Sequence, residues 1–323
     1  MSKKNILILI TTYKRPKTLA RLVNQLVSVI KDYKGVNQYD IAISDSDRTA
    51  SSLFDSTITY IHNKGEGFDC NLFYAFERFW QDYDFIFPMG DDDLLSPFAN
   101  LFYIDGVLQV DAEAFVFDHC LFLQNVVPGD QEFVIGGRAY GDHSAEANRL
   151  DGGLVVKGKF YNTDSKTNFL NDPFRFIVNP IPSYCGIIYD TRLIGKCMEL
   201  LPLFIGTLHL YVMPCLIAAS CGSLAFLDYP LTFYHYEAKS DGAWENSSHV
   251  FMGLMNFARR MKGLVRDHEY EILLIAFYDL FFTKSELGFR ADPNFIGFKN
   301  WQEYVEYVES SREDTEAFYK NLA

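Results

Sequence analysis

Residues 85–97 constrain this chain more than any other stretch: Phe85-Ile86-Phe87-Pro88-Met89-Gly90-Asp91-Asp92-Asp93-Leu94-Leu95-Ser96-Pro97. An apolar run without alternation reads as a strand buried on both faces, which demands covering layers above and below it. The run then stops at three consecutive carboxylates. Adjacent ionised carboxylates repel one another and cannot be buried unpaired. They either lie in water at the edge of a sheet, the ordinary meaning of an isolated Asp-Asp-Asp, or surround a hard divalent cation, which takes oxygen ligands.

The segments before this stretch supply the rest of a site. Residues 5–10 are a second apolar strand, ending in Thr11-Thr12-Tyr13-Lys14-Arg15-Pro16. From Lys17 to Ile30, apolar residues at 19, 22, 23, 26, 27 and 30 have the spacing of a helix with one buried face. Tyr39 to Ser44 is a strand closing on Asp45-Ser46-Asp47, and Ile58 to Ile61 is a short one. The loop Asn63-Lys64-Gly65-Glu66-Gly67-Phe68-Asp69-Cys70-Asn71 leads into a helix from Leu72 to Trp80. This rhythm predicts an α/β fold with a mostly parallel sheet flanked by helices. Ligands on such sheets bind beyond the carboxyl ends of the strands. Thr11 to Arg15, Asp45 to Asp47 and Asp91 to Asp93 are therefore expected on one rim.

Further along, Ala114 to Leu123 reads as a strand carrying Asp118 and His119, and 127–158 as an excursion or flap rich in Gly and Asp. A strand ending at Tyr189-Asp190 and a helix from Thr191 to Leu201 follow. The uncharged run from Leu210 to Leu227 is interrupted by Pro214 and by Ser220-Cys221-Gly222-Ser223, so it reads as helix, turn and strand and not as a membrane span. Leu224 to Tyr236 is a strand, and residues 250–323 read as helical. The expected organisation is a body over 1–249, with a nucleotide half (1–100) and an acceptor half (101–249), and a helical C-terminal extension over 250–323.

A net charge of -13 argues against a nucleic-acid partner, since no basic surplus exists to neutralise phosphates. An anionic ligand must then be held by a local device such as a metal. Aromatic residues make up 16% of the chain, a share that suits both a core and a cleft for rings or sugars. The six cysteines form no CxxC pair, and the N-terminal apolar run is one strand long without a cleavage site. A cytoplasmic protein with reduced thiols is expected.

The ordered motifs resemble the family 2 glycosyltransferases, which have the GT-A fold. Thr12-Tyr13-Lys14-Arg15 resembles the family's opening Pro-Thr-Tyr-Asn-Arg, with Thr11 for the proline and Lys14 for the asparagine. Asp45-Ser46-Asp47 resembles its second-strand acidic motif, Asn63-Lys64-Gly65 with Asn71 its asparagine-glycine loop, and Asp91-Asp92-Asp93 its metal-binding "DXD" element. Gly67-Phe68-Asp69-Cys70-Asn71 together with Gly90-Asp91-Asp92-Asp93 is similar to the abequosyltransferase-like subgroup, which adds sugars to bacterial surface polysaccharides. The resemblance covers the first 100 residues well, the middle weakly and the tail not at all.

The resemblance implies a nucleotide-sugar donor and a saccharide or lipid-linked saccharide acceptor. Asp91 and Asp93 would hold Mn or Mg, which neutralises the leaving diphosphate. Asp92 would face the donor's ribose or sugar, and Asp45 the nucleoside. Thr11, Tyr13 and Arg15 would flank base and phosphate, although a solvated loop arginine is an equal reading of Arg15. Asn71 would bond a nearby backbone or the nucleotide. His235 would add a third metal ligand. The family places a catalytic Asp or Glu in the acceptor half, where this chain has Gly206-Thr207-Leu208-His209. His209 is therefore the candidate base, with Asp118 and Asp172 in reserve. Trp244 could stack on a sugar, His249 reads as a surface residue, and the basic stretch Phe257 to Arg266 could touch anionic lipid, a peripheral membrane contact. Two rivals are a sugar nucleotidyltransferase, which usually shows a glycine-rich loop where Thr11 to Pro16 has none, and a non-catalytic carbohydrate- or nucleotide-binding protein.

Overall fold

Strand β1 (Asn5–Thr12) lies inside the sheet, with Ile6 to Ile10 fully excluded from water. It pairs in parallel with β2 (Gln38–Asp45) on one side and β4 (Phe85–Gly90) on the other, and β3 (Thr59–His62) extends the sheet beyond β2. The computed structural model describes residues 3–48, 54, 58–63, 67–95, 101–124, 131–134, 146–150, 153–157, 172–178, 184–235, 247–283 and 301–310. Trp244 lies outside them, and His249 is described in backbone only.

Because side chains alternate across a strand, each apolar run feeds two cores. Ile6, Ile8, Ile10, Ile41, Ile43, Phe85, Phe87 and Met89 face helix α1 (Pro16–Asp32), whose Leu19, Leu22, Val23 and Leu26 cover them. Proline at its first turn suits a helix start, where no amide partner is needed. Leu7, Leu9, Ala42 and Ile86 face helix α2 (Phe68–Phe79) through Leu72, Ala75, Phe76 and Phe79.

The remaining strands make the sheet mixed, since some of them run against β1. Its order is β3-β2-β1-β4-β10-β6-β11-β5, where β5 is Leu94–Leu95, β6 Ala114–Gln124, β10 Ile187–Asp190 and β11 Leu224–His235. Strand β10 runs antiparallel to both β4 and β6, β11 is parallel to β6, and β5 is antiparallel to β11. Apolar periodicity reports burial but not chain direction, so the expectation of parallel pairing could not anticipate β10. Helix α3 (Leu101–Val107) joins the α1-side core. Within the expected excursion, β7 (Gln131–Val134) pairs with β6, and β8 (Glu146–Leu150) with β9 (Gly153–Lys157) forms a hairpin.

Helix α4 (Pro173–Val178) precedes β10, and α5 (Thr191–Cys197) follows it, with Asp190 as N-cap accepting from the Arg192 amide. Helix α6 (Val212–Ser220), a turn and β11 take up the uncharged run. Among the described residues no helix is long and apolar enough to cross a membrane. The C-terminal helices α7 (Ser247–Met261), α8 (Asp267–Thr283) and α9 (Trp301–Ser310) place Leu254, Phe257, Phe277, Tyr304 and Val308 in the same core as Leu7 and Phe76. The basic stretch is partly turned inward. Arg259 donates to the Val308 carbonyl at 2.6 Å, and Arg260 to the Ile205 carbonyl at 2.9 Å.

One close approach positions the loop around Thr207. A Cβ on Gly253 of α7 would stand 2.2 Å from the Thr207 carbonyl oxygen, a backbone atom that cannot swing away. Alanine normally stabilises a helix interior relative to glycine by up to ~1 kcal/mol. Here Gly253→Ala should instead destabilise by about 1–3 kcal/mol, because α7 must back away from the loop. Chemical unfolding checks the sign.

Candidate active site

The register brings the polar strand ends level. Thr12 of β1 stands opposite Asp45 of β2, and Thr11 stands opposite Gly90 of β4, directly before Asp91. The three rim segments expected to meet do meet.

The three aspartates are not solvated: Asp91 is 4% exposed, Asp92 6% and Asp93 3%. Helix α1 and the end of β1 supply their partners. Thr12 Oγ1 donates to Asp91 Oδ2 at 2.6 Å, and Arg15 Nη1 lies 3.4 Å from Asp91 Oδ1 and 2.8 Å from Asp92 Oδ2. Arg21 reaches the Asp92 carbonyl at 3.4 Å, and the Gln25 amide exchanges two 2.9 Å bonds with the Leu95 backbone, as a neighbouring strand would. Gly90 donates to Asp93 Oδ2 at 2.9 Å, and a Cβ at Gly90 would stand 2.9 Å from that oxygen and 3.0 Å from Asp92 Oδ1. A side chain there would make both carboxylates shift, because they fold back over this position.

Charge and donors do not balance. Among the described residues Arg15 pairs with Asp91 and Asp92, and no ion pair reaches Asp93. Asp93 Oδ1 is buried without a hydrogen-bond partner among the described residues, and the Cys185 thiol, a weak donor, lies beside this carboxyl group. Burial, reinforced by the Asp92 charge, pushes Asp91 up to about 7, with Thr12 and Arg15 pulling the other way. The same two causes hold Asp93 well above the usual carboxylate range. Burial opposes the Arg15 charge, but Asp91 and Asp92 outweigh it and raise the arginine. Among the described residues no group of three or more His, Cys, Asp or Glu side chains is arranged as a metal set. The donor chemistry nevertheless fits a hard cation: all-oxygen ligands, surplus negative charge and one unsatisfied buried oxygen on Asp93.

Asp45 and Asn71 are buried at the same rim. Asp45 is fully buried, accepting from the Asp47 amide at 2.9 Å and the Tyr60 hydroxyl at 2.5 Å. Asn71 donates to the Ser44 carbonyl at 2.9 Å and the Thr12 carbonyl at 3.4 Å, and accepts from the Ser44 hydroxyl. Of its two expected partners, backbone or nucleotide, the backbone is the one it has; it ties α2 to the ends of β1 and β2. Tyr13 is 54% exposed, with the Lys14 ammonium 4.8 Å above its ring, so a flat face is presented at the rim.

The acceptor-side candidates separate. Asp172 accepts from the Arg175 amide at 2.9 Å, which makes it the cap of α4. Asp118 stands opposite Pro230 in the β6–β11 ladder and His235 opposite Phe122; both are described in backbone only. The antiparallel β11–β5 pairing, Phe233 opposite Leu94, carries β11 toward the aspartates' end of β5. His209 is 9% exposed, its Nδ1 lies 2.8 Å from the Thr207 carbonyl, and its ring stacks on Tyr211. Tyr211 packs edgewise on Tyr184 at 5.4 Å, and Thr11 Oγ1 donates to the Tyr184 hydroxyl at 3.3 Å. Two aromatic rings therefore link His209 to the acidic rim.

Burial lowers His209 to about 4, against which its bond to Thr207 is a minor gain. The imidazole is neutral at pH 7, the form that accepts a proton, though a weak base. Between pH 6.5 and about 4 the unfolded chain binds a proton here that the folded chain refuses. Stability is therefore complete above pH 6.5 and is lost as pH falls through that window, by ~3 kcal/mol. Urea unfolding of wild type and His209→Gln should show the acid loss only in the former.

Asp69 was not anticipated as a site residue. It lies on the buried face of α2 with Leu72 and Phe76, and a charged residue at that helical spacing is the signal that would have found it. Tyr184, half-buried beside Thr11 and Asp93, had no such signal.

No family model and no curated protein matches the chain. Among solved structures it is similar to the crystal structure of S. aureus TarS 1-349, at 13% identity and a TM-score of 0.53, over 94% of this chain and 81% of that one. It is likewise similar to S. aureus TarS 1-349 in complex with UDP-GlcNAc, at 13% identity and a TM-score of 0.54, over 94% of this chain and 79% of that one. At that identity the likeness is one of backbone architecture. Together with the mixed sheet, the helices on both its faces and the helical C-terminal region, it shows that this chain has the GT-A fold.

Proposed function

We propose that the protein is a metal-dependent glycosyltransferase. It would move a sugar, with inversion, from a nucleotide-sugar donor to a saccharide or lipid-linked saccharide of a bacterial polysaccharide precursor. The observation that carries this reading is the rim of three buried, under-neutralised aspartates, with an unsatisfied oxygen on Asp93, level with the ends of β1 and β2. That is where a GT-A sheet offers room for a diphosphate, and the neighbour S. aureus TarS 1-349 was crystallised with UDP-GlcNAc. The finer likeness to abequosyltransferase-like enzymes rests on Gly67 to Asn71 and Gly90 to Asp93.

Asp93 and Asp91 would hold Mn or Mg, with His235 as a third ligand; the ion would supply Lewis-acid stabilisation of the leaving diphosphate. Arg15 keeps Asp91 and Asp92 in place and adds positive charge beside the phosphates. Tyr13 offers its exposed face to the base, and Asp45 acts through Tyr60 and the turn at Asp47. His209 Nε2 would accept the proton of the acceptor hydroxyl.

A second reading, a binding protein without turnover, is favoured by one observation: the acceptor loop carries a weakly basic histidine instead of a carboxylate. Thermal denaturation with a panel of nucleoside diphosphates, with and without Mn, should show metal-dependent stabilisation by at least one. Release of nucleoside diphosphate from the matching nucleotide sugar then separates the two readings. Binding without release in the presence of saccharide acceptors supports the second, and no binding by any nucleotide overturns both.

A further inference from the structure

We propose that Asp69 is the positioning residue of the acceptor side: its carboxylate gathers the backbone amides of the 206–210 loop and thereby sets where His209 stands. The inference rests on the glycosyltransferase reading only for what the loop is used for.

An acidic residue in the first turn of a helix ordinarily serves that helix's own free amides. Asp69 turns away from them. It is 2% exposed, and its Oδ2 accepts from the Leu208 amide at 2.6 Å and its Oδ1 from the Leu210 amide at 3.3 Å. The Gly206 and Thr207 amides also point at it. Gly206 (φ 85°) and Leu208 (φ 61°) have left-handed backbones, a pattern that aims successive N–H groups at one anion. For leucine that conformation is costly and persists only where the surroundings impose it. Here the imposing group is a carboxylate 139 residues distant in sequence. His209 is next in the chain; its amide donates to Thr207 Oγ1 at 3.2 Å and its ring is held against Tyr211. The helix that ties the nucleotide-side strands together through Asn71 thus also sets the acceptor-side imidazole.

The anion is needed, because a protonated carboxyl loses acceptor capacity on the oxygen that carries the proton. Burial pushes Asp69 up to about 7, with the four loop amides pulling it down. No charged side chain is among its main influences. Among the described residues, the ionisable groups nearest it in the chain and on the elements around Phe68 and the loop include Cys70 on its own helix, His209 in the loop, Tyr184 and Tyr211 around Phe68, and Arg260 of α7, which donates to the Ile205 carbonyl. Near neutrality the loop should therefore tighten as pH rises.

The test uses the full chain. In wild type, kcat should rise about tenfold between pH 6 and 8. With Mn saturating throughout, so that Asp91 stays ionised, that limb should vanish in Asp69→Asn and kcat at pH 8 fall at least tenfold, with the donor KM within twofold. Asp69→Glu, with the same charge one methylene further out, should keep the limb at reduced kcat. Imidazole NMR, with the His209 signal identified by its absence in His209→Gln, should show that signal displaced in Asp69→Asn. An Asp69→Asn protein with the wild-type limb, kcat and His209 signal overturns the inference. If Asp69→Asn fails to fold, Asp69→Glu decides: a lost limb, or kcat equal to wild type, overturns it. If wild type turns over no nucleotide sugar, the functional reading fails by itself. The His209 signal then still judges Asp69: a displacement in Asp69→Asn supports it and an unmoved signal overturns it.

Discussion

An Asp93→Asn protein should lose about a hundredfold or more in transfer activity, yet melt at a higher temperature than wild type in metal-free buffer at pH 8. The activity loss follows from removing the carboxylate with the free buried oxygen, the best-placed ligand for a cation beneath a diphosphate. The stability gain follows from the same burial. The carboxyl is held well above its usual range, first by desolvation and then by Asp92. An acid whose folded value exceeds its unfolded one contributes fully below the unfolded value, and that contribution is lost as pH rises. At pH 8, above the unfolded value, the buried carboxyl group costs stability, and a neutral amide of the same shape removes that cost while still accepting from Gly90. A gain of about 1–3 kcal/mol is expected, shrinking toward acid pH. Thermal melts across pH, paired with turnover, read both effects. A variant that melts lower and turns over normally would remove Asp93 from the site.

Arg15→Ala should give the opposite signature, a loss of ~3 kcal/mol or more. The guanidinium is largely buried and is the cation that reaches both Asp91 and Asp92, at 3.4 Å and 2.8 Å. Without it, adjacent carboxylates confront one another in a site closed to water. Lysine should recover only part of the loss, because an ammonium lacks the planar fork that serves two carboxylates at once. Arg15→Ala combined with Asp92→Asn should recover more than half, since the second change removes one of the charges stranded by the first. Mn should raise the melting temperature of Arg15→Ala more than that of wild type, by supplying the missing positive charge. Equal Mn shifts in both proteins would show that cation and guanidinium do not share this cluster.

These paired predictions exist because the acidic run was visible before the fold was. The apolar runs at 5–10 and 85–89 read as buried strands, and three carboxylates closing one of them as either a solvated edge or a cation's site. Register then placed Thr12 beside Asp45 and Gly90 beside Thr11. Partners were less legible. Asp45 was expected to face the nucleoside, and Asn71 a nearby backbone or the nucleotide; Asp45 lies under Tyr60, and Asn71 has backbone partners on two strands. Asp172, held in reserve as a base, caps a helix. A polar residue at a strand end is the same letter whether it faces a ligand or a neighbouring amide; the difference lies in atoms contributed from elsewhere.

The sequence by itself determined which segments are buried, where the acidic edge lies and that it could not be buried unpaired. Burial is a property of local apolar periodicity, and the cost of hiding charge holds in any fold. Only the tertiary structure decided that β10 reverses direction, that Arg15 is the partner of Asp91 and Asp92, and that Asp69 holds a loop of the other half. Those outcomes depend on which distant backbone amides and side chains arrive together, and local sequence does not encode that meeting.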